Sequence, residues 1–390
     1  MSINKKRLKV LLYGNFFGAY RSQNLVKYLL DAGYRLSIIS PEFYYERGEK
    51  KDIISKMLRV IFSAYYLIDL FLKAALADVI YLLPLNSELI RPVVWASRLF
   101  KTKLVVEMYI SAYDTLVREK QEVPIDSAAA KKLWRDDVLA LSAADHIVHL
   151  ARYELNYWKE LFNITLVKDN VWIAPLFCEP VLTRLSYSAV RGDRLRICWW
   201  GTLIPSHGIS NILKALQILH ADGIPFSCQL FGIPPKGREQ LAEDCRDEIK
   251  ALGLNDLVSL RKDLTFGDSS LPEYLVNNCD LALGLFGDTE KAGATIPNKL
   301  IEALTLGIPS LTMTTSSLEE FFDLEVDLWT CETTPEAIAS TMKQISAQTI
   351  YQVDWIKTKE KVTQTFSVEN YCQTIGEVLN NAATNIVHNR

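Results

Sequence analysis

The 390-residue sequence has no D-x-D and no C-x-x-C anywhere along its length. It has only five histidines, and no cluster of His, Asp and Glu at ligand spacing, so no metal site is expected. Seven cysteines, scattered and odd in number, argue against a disulfide framework and for a reducing compartment. A formal charge of -3 gives no reason to expect nucleic acid as a partner. No stretch offers about 20 nearly uncharged apolar residues, which a spanning helix needs. The greasiest run, "MLRVIFSAYYLIDLFLKAALADVIYLL", is interrupted by Arg59, Asp69, Lys73 and Asp78, and reads as a buried helix followed by a strand. The residues before it, "ERGEKKDIISKM", mix both signs. They read as a solvated helix start, with peripheral membrane contact as the alternative. The N-terminal "MSINKKRLKVLLYG" passes from a few lysines straight into a strand-like run. No signal peptide and a cytoplasmic location, at most at the inner face of a membrane, are therefore expected.

What is present is a globular composition, 49% apolar and 23% charged, in a chain long enough for two domains. "LKVLLYG", "RLSIIS", "DVIYLLP", "KLVVEMY" and "DHIVHLA" read as strands separated by helices. A break at "NVWIAPLFCEPVLTRLSYSAVRGDR" carries prolines and charges. Alternation then resumes with "RICWWG", "FSCQLFG", "LVSLR", "LALGLF" and "PSLTM". Short apolar strands between helices imply parallel sheets covered on both faces. The boundary is placed near Leu185 to Arg191. The expected domains are 1–187 and 188–367, followed by a C-terminal helical segment, 368–390. Ligands of such sheets sit at the carboxyl ends of the strands. Gly14, Gly201, Gly232 and Gly287 all follow predicted strands, where turns or backbone approach to a ligand both call for glycine.

The segment "TIPNKLIEALTLGIP" has proline at a helix start, and glycine and proline at its end. Leu300, Ile301, Ala303 and Leu304 form an apolar face. Asn298, Lys299, Glu302 and Thr305 share the other. Either that face is wet, holding only a surface Lys299/Glu302 pair, or it holds an anion at the helix N-terminus. The Trp199–Trp200 pair reads as strand core, and Asp136 and Asp137 as the outer face of a helix.

"CWWGTLIPSHGISNILKALQIL", "CDLALGLFGDTEKAGATIPNKLIEALTLGIPSLT" and "FSVENYCQTIGEVLNNA" together resemble the GT-B glycosyltransferases, and specifically glycosyltransferase family 4. The resemblance covers essentially the whole chain and is strongest from Ile197 to Thr314. It implies an α/β protein of two Rossmann-like domains facing a cleft, with the last helix crossing back to the first domain. It further implies retaining, metal-independent transfer from a nucleotide-sugar donor, bound by the second domain, to a saccharide or lipid-linked acceptor, as in bacterial surface polysaccharide synthesis. No cofactor is implied.

In this family two glutamates have seven residues between them. Glu302 fits the second place, where its two oxygens would accept ribose hydroxyls, while Ala294 occupies the first. Thr202 and His207 occupy the places of the family's arginine and lysine. A branch with "P-x-H-G" and "G-F-G-x-T-x-K-A…I-P-N-K" matches "IPSHG" and "LGLFGDTEKAGATIPNK" better, and there Lys291 and Lys299 carry the diphosphate charge. The donor residues implied are thus Gly14, Gly18, Gly201, Thr202, Gly232, Lys291, Asn298, Lys299 and Glu302. His207 reads either as a loop residue capping the helix at Ser210, or as a catalytic-site donor to the diphosphate. Asp114 would orient or deprotonate an acceptor hydroxyl, or else cap the helix at "TLVREK"; Glu107 is a second candidate, with burial against it. Arg21 would bind acceptor, or be a solvated side chain. Two other readings share this shape: a non-hydrolysing nucleotide-sugar 2-epimerase, and a non-catalytic GT-B scaffold subunit.

Overall fold

The computed structural model describes residues 8–16, 20–41, 53–166, 170–179, 182 and 193–387. Gly18 and the expected boundary at Leu185 to Arg191 lie outside them. Contacts divide the chain into two compact units. One comprises Met1–Leu150, Trp158–Ala174 and Glu369–Arg390, the other Ala151–Tyr157 and Pro175–Val368.

Along the chain come β1 (Lys9–Tyr13), α1 (Tyr20–Asp31), β2 (Arg35–Ile39), α2 (Ile53–Ala74), β3 (Val79–Leu82), α3 (Ile90–Phe100), β4 (Lys103–Glu107), α4 (Ala128–Ala143), β5 (His146–His149), α5 (Arg152–Phe162) and β6 (Val171–Ile173). There follow β7 (Leu195–Thr202), α6 (Ile209–Ala221), β8 (Phe226–Ile233), α7 (Gln240–Ala251), β9 (Val258–Arg261), α8 (Ser270–Asn278), β10 (Leu281–Leu283), α9 (Glu290–Ala294) and α10 (Asn298–Thr305). The last elements are β11 (Ser310–Met313), α11 (Ser316–Glu319), β12 (Trp329–Cys331), α12 (Pro335–Ser346), α13 (Trp355–Thr365) and α14 (Val368–Val387).

Each unit holds one six-stranded sheet, ordered β2-β1-β3-β4-β5-β6 in the first and β12-β11-β10-β7-β8-β9 in the second. All the pairings are parallel. The inner strands β3 (VIYL) and β11 (SLTM) are buried along their whole length, as expected of strands covered on both faces. In each sheet the chain reverses its direction of travel once, between β1 and β3 and between β7 and β10. These are the topological switch points, beside which ligands of open parallel sheets usually bind. Two strands, β6 and β12, were not anticipated; each is a three-residue edge strand at the end of its sheet.

The greasy run corrects a second expectation. It forms α2, but Val60, Ile68 and Leu72 are 70, 61 and 64% exposed, so the helix is not buried. Among the described residues no helix is long and apolar enough to cross a membrane. Asp136 and Asp137 are likewise not on an outer face: both are fully buried. Asp136 pairs with Arg91 at 2.6 Å and Lys132 at 2.7 Å. Asp137 accepts from the Ser111 hydroxyl at 2.7 Å and the Tyr113 N–H at 2.9 Å, and burial pushes its carboxyl above the usual range.

The first unit is knitted by an ion pair at its centre. Arg21 Nε donates to Glu107 Oε1 at 2.8 Å, and Arg21 Nη2 to the Ala174 carbonyl at 3.1 Å. The other carboxylate oxygen accepts from the hydroxyls of Tyr81, at 2.7 Å, and Tyr371, at 2.9 Å. The guanidinium lies 4.2 Å from the Tyr371 ring centroid. Tyr371 belongs to α14, so this pair draws α1, β3, β4 and the C-terminal helix onto one point. A buried charge is tolerated only when paired and fully hydrogen-bonded. Glu107→Gln leaves the Arg21 cation uncompensated and should cost about 3–5 kcal/mol. The double variant Arg21→Met/Glu107→Leu should recover part of that loss. Urea unfolding of the three proteins decides: a Glu107→Gln protein as stable as wild type would show that the pair does not hold the unit together.

Candidate active site

β7 ends in Trp199-Trp200-Gly201-Thr202. Side chains alternate along a strand, so the two indoles leave on opposite faces, and both are buried. α10 meets both. The Lys299 amine lies 4.1 Å from the Trp199 ring centroid. The Trp200 indole N–H donates to Glu302 Oε2 at 2.6 Å. The tryptophans are therefore not simply strand core: they fix the two charged residues of the short helix, one turn apart. The face is not wet, because Lys299 and Thr305 are buried and Glu302 half-buried; only Asn298 is exposed.

Lys299 is 5% exposed, and its Nζ has no hydrogen-bond partner. Burial pushes its pKa well below the ordinary lysine value, with Glu302 opposing. Burial also raises the Glu302 carboxyl, against the Trp200 hydrogen bond and Lys299. A cation without an acceptor is costly to bury, and here the Trp199 face and the nearby Glu302 carboxylate favour it. The amine stands beside Gly201, where φ is +139° and an added Cβ would meet Lys299 Nζ at 3.1 Å and His207 Cε1 at 3.3 Å. The backbone conformation at Gly201 favours glycine, and an added Cβ would also sit tightly against these two side chains.

His207 packs edge-on to Trp199, with centroids 5.6 Å apart, and its Nδ1 bonds the Thr202 carbonyl. A carbonyl only accepts, so Nδ1 carries the hydrogen. Burial, then Lys299, keep the ring's pKa well below the usual histidine value. With Nδ1–H committed to that carbonyl, a neutral ring presents Nε2 as an acceptor. His207 does not cap α6: that helix takes Gly208 as its N-cap, and Ser210 bonds Glu248 at 2.5 Å. The loops after β7 and β10 are pressed together. Phe286 N–H donates to the His207 carbonyl at 3.3 Å, and Asn211 Nδ2 to the Phe286 carbonyl at 2.9 Å. Gly208 and Gly287 have no space for a Cβ because each meets backbone of the opposite loop.

The structure thus brings Gly201, Thr202, His207, Lys299 and Glu302 together at the carboxyl end of β7. Lys291 lies on α9, its charge one of those that depress His207. Asn298 is the first residue of α10, whose N-cap Pro297 offers no side-chain hydrogen bond. Backbone N–H groups of a first helical turn lack intrahelical acceptors. Ala294, at the first-glutamate place, is buried and its carbonyl is bonded by the Ser317 hydroxyl. The other glycines have protein neighbours. Gly232 is wedged between Leu260 and Leu203, and Gly14 lies against the Asn86 side chain, which accepts from the Asn15 N–H at 2.8 Å. Packing, not open ligand space, accounts for both.

Three first-unit readings change as well. Arg21 is neither solvated nor open to an acceptor, since it is fully buried against Glu107. Glu107 is committed to that pair. Asp114 is fully buried, 3.6 Å from Arg118, and presents no surface to an acceptor. It is no cap either: its own N–H donates to Ser111 Oγ at 2.9 Å, and the segment Asp114–Glu119 winds as a π-helix.

No protein-family model matches the chain, and no curated protein matches it in sequence. Solved structures do. HepE from Anabaena in complex with UDP aligns at TM-score 0.65 and 14% identity, over 96% of this chain and 100% of that one. Sucrose-phosphate synthase from Thermosynechococcus elongatus aligns at 0.66 and 12%, over 96% and 99%. The catalytic domain of starch synthase IV from Arabidopsis thaliana, bound to ADP and acarbose, aligns at 0.60 and 11%, over 97% and 99%. At such identities the likeness is one of fold. The chain has the GT-B fold of these glycosyltransferase structures.

Gly201→Ala should cost about 1–3 kcal/mol, because it puts a Cβ into a strained backbone region and against Lys299. Gly223→Ala, at φ +70° with nothing within 4 Å, should cost only about 1–2 kcal/mol of backbone strain. Thermal melting of both compares them. A Gly201→Ala protein as stable as wild type would mean that Lys299 and His207 do not press on this position.

Proposed function

We propose that the chain is a nucleotide-sugar glycosyltransferase of the family 4 type, retaining and metal-independent, and that its second unit binds the donor at the Trp199–Gly201–Lys299 corner. One observation carries this: the Lys299 amine, buried on an indole with no acceptor, at the sheet's switch point and beside a helix N-terminus. An anionic group arriving there would supply the missing acceptor, and the α10 N–H groups would add to it. A diphosphate has that chemistry. The HepE structures with UDP and with UDP-glucose make uridine nucleotides the first probes. Glu302 then receives the ribose, oriented by Trp200, which already occupies one of its oxygens. His207 Nε2, an acceptor, faces a donor hydroxyl and not the diphosphate oxygens. A saccharide acceptor is in keeping with the TarM structure that holds α-GlcNAc-glycerol and UDP, and a bacterial surface polysaccharide remains the intended product. Among the described residues of the second unit no other histidine stands beside His207 to support the 2-epimerase reading. The scaffold reading is met by the binding test.

Charge-assisted hydrogen bonds are worth about 1.5–3 kcal/mol, so Lys299→Met should weaken UDP roughly ten- to a hundredfold and leave uridine nearly unaffected. The free amine has a depressed pKa, and a bound anion raises it again. Binding should therefore take up a proton, and UDP affinity should fall as pH rises above the free protein's Lys299 pKa, by up to about tenfold per unit. Calorimetry in buffers of different ionisation enthalpy reads the proton directly. Equal proton uptake in wild type and Lys299→Met would take the diphosphate away from Lys299. No UDP or ADP binding at all would favour the scaffold reading.

Transfer should also persist in excess EDTA, followed by release of UDP from UDP-glucose with a saccharide acceptor. Loss of turnover with chelator and its return with Mg²⁺ or Mn²⁺ would contradict metal independence.

A further inference from the structure

The first unit leaves two adjoining apolar stripes uncovered. On α2, Val60, Ile61, Ile68 and Leu72 are 57–70% exposed, and Tyr65 and Leu76 extend the same side of the helix. On α3, Trp95 and Leu99, one turn apart, are 68 and 63% exposed. The helices meet through Phe71 and Phe100, with ring centroids 6.1 Å apart, so the stripes join. Their exposed apolar area is on the order of 800 Å², more than a soluble monomer usually shows and about what each partner gives to a standard interface.

The charges on this face are arranged to suit a copy of itself. Asp69 on α2 is neutralised by Lys73 at 2.7 Å, so that stripe carries no net charge. The charges of α3 stand at opposite ends. Glu88, on the turn Ser87–Leu89 that leads into the helix, is exposed and in line with Trp95. Arg98 and Lys101 are exposed at the other end. Arg91 pairs with Asp136 at 2.6 Å, but among the described residues no ion pair engages Glu88, Arg98 or Lys101. Trp95 stands near the midpoint between the anionic and the cationic end. A twofold axis that pairs two α3 helices antiparallel at Trp95 exchanges their ends. It brings Glu88 of each copy toward Arg98 and Lys101 of the other, which is the self-complementarity an isologous contact requires. A surface of one sign would gain from one end of α3 and be repelled by the other.

We infer that α2 and α3 form an isologous interface between two copies of this chain, a four-helix layer with Trp95 and Leu99 at its centre and the Glu88 charges facing Arg98 and Lys101 at its rim. The inference does not depend on the sugar-transfer reading. Apolar area supplies the affinity, and the rim charges fix the antiparallel register.

Sedimentation equilibrium of the full-length protein over a range of concentrations tests this. A monomer–dimer equilibrium is expected. Ile68→Glu/Leu72→Glu should raise its dissociation constant at least about a hundredfold, because each copy would bury two unpaired charges. Glu88→Lys and Arg98→Glu/Lys101→Glu should each raise it about tenfold, since symmetry sets like charges against each other twice per dimer. Mixed in equal amounts, these two charge variants should form heterodimers nearly as tight as the wild-type dimer, because every rim contact then joins opposite charges. All these positions are exposed, so melting temperatures should match wild type. Should Ile68→Glu/Leu72→Glu misfold, the charge variants and their mixture decide alone. The inference is overturned if the protein is a monomer at every concentration, if a dimer forms that none of these variants weakens, or if the mixture associates no better than either variant by itself. It is equally overturned if a monomer sediments with phosphatidylglycerol vesicles and Ile68→Glu/Leu72→Glu abolishes this, for then a lipid surface covers the face.

Discussion

A lysine amine buried on an indole, with no hydrogen-bond acceptor, governs the second unit. Its cost in isolation would be several kcal/mol, since an ammonium removed from water loses its solvation. Three features bring it into place. α10 packs its apolar residues against the sheet and so carries Lys299 inward. Gly201 leaves the space that a side chain would fill. Trp199 supplies a favourable surface, the face of its ring, and the Glu302 carboxylate also favours the charged amine. His207 follows from the same constraint, because the neighbouring amine and burial both keep the imidazole neutral, and the Thr202 carbonyl then decides its tautomer. An unmet buried donor in a native structure calls for an explanation, and a bound anion is the one that the site's position recommends.

The first unit resolves the same electrostatic problem in the opposite way. The Arg21–Glu107 pair is as deeply buried as Lys299, yet both carboxylate oxygens are met, by a guanidinium and two tyrosine hydroxyls. Such a site has little left to offer a ligand. It holds four elements in register, and it brings the C-terminal helix into the first unit through Tyr371. Charge within one protein thus appears in two settings: every group of the Arg21–Glu107 pair is satisfied and fixes the fold, while the Lys299 amine is left without an acceptor.

Much of the fold was legible in the sequence because its signals are local. Ten of the strands announce themselves as apolar runs between helices, and proline and glycine bound α10 as its composition suggested. β6 and β12 were missed because three residues carry no period, and only neighbours already in the sheet make them strands. The exposure of α2 was missed for a related reason. Apolar residues predict burial only if something is there to cover them, and that depends on elements far away in the sequence. Asp136 and Asp137 looked like a solvated face on charge alone, and are buried because Arg91, Lys132 and Ser111 come to meet them.

By itself the sequence determined two α/β halves, the β7 and α10 segments as the places to look, and Lys299, Glu302 and His207 as residues worth weighing. Those rest on spacing within a few residues, which the helix and strand periods convert directly into faces. Tertiary structure alone decided what each residue is. It enclosed Arg21 and Asp114 where an acceptor had been expected to reach. It made His207 an acceptor, and gave Trp199 and Trp200 their partners a hundred residues away. Burial and pairing are set by side chains that meet only after folding, and protonation follows from them, so no reading of neighbours along the chain could have supplied it.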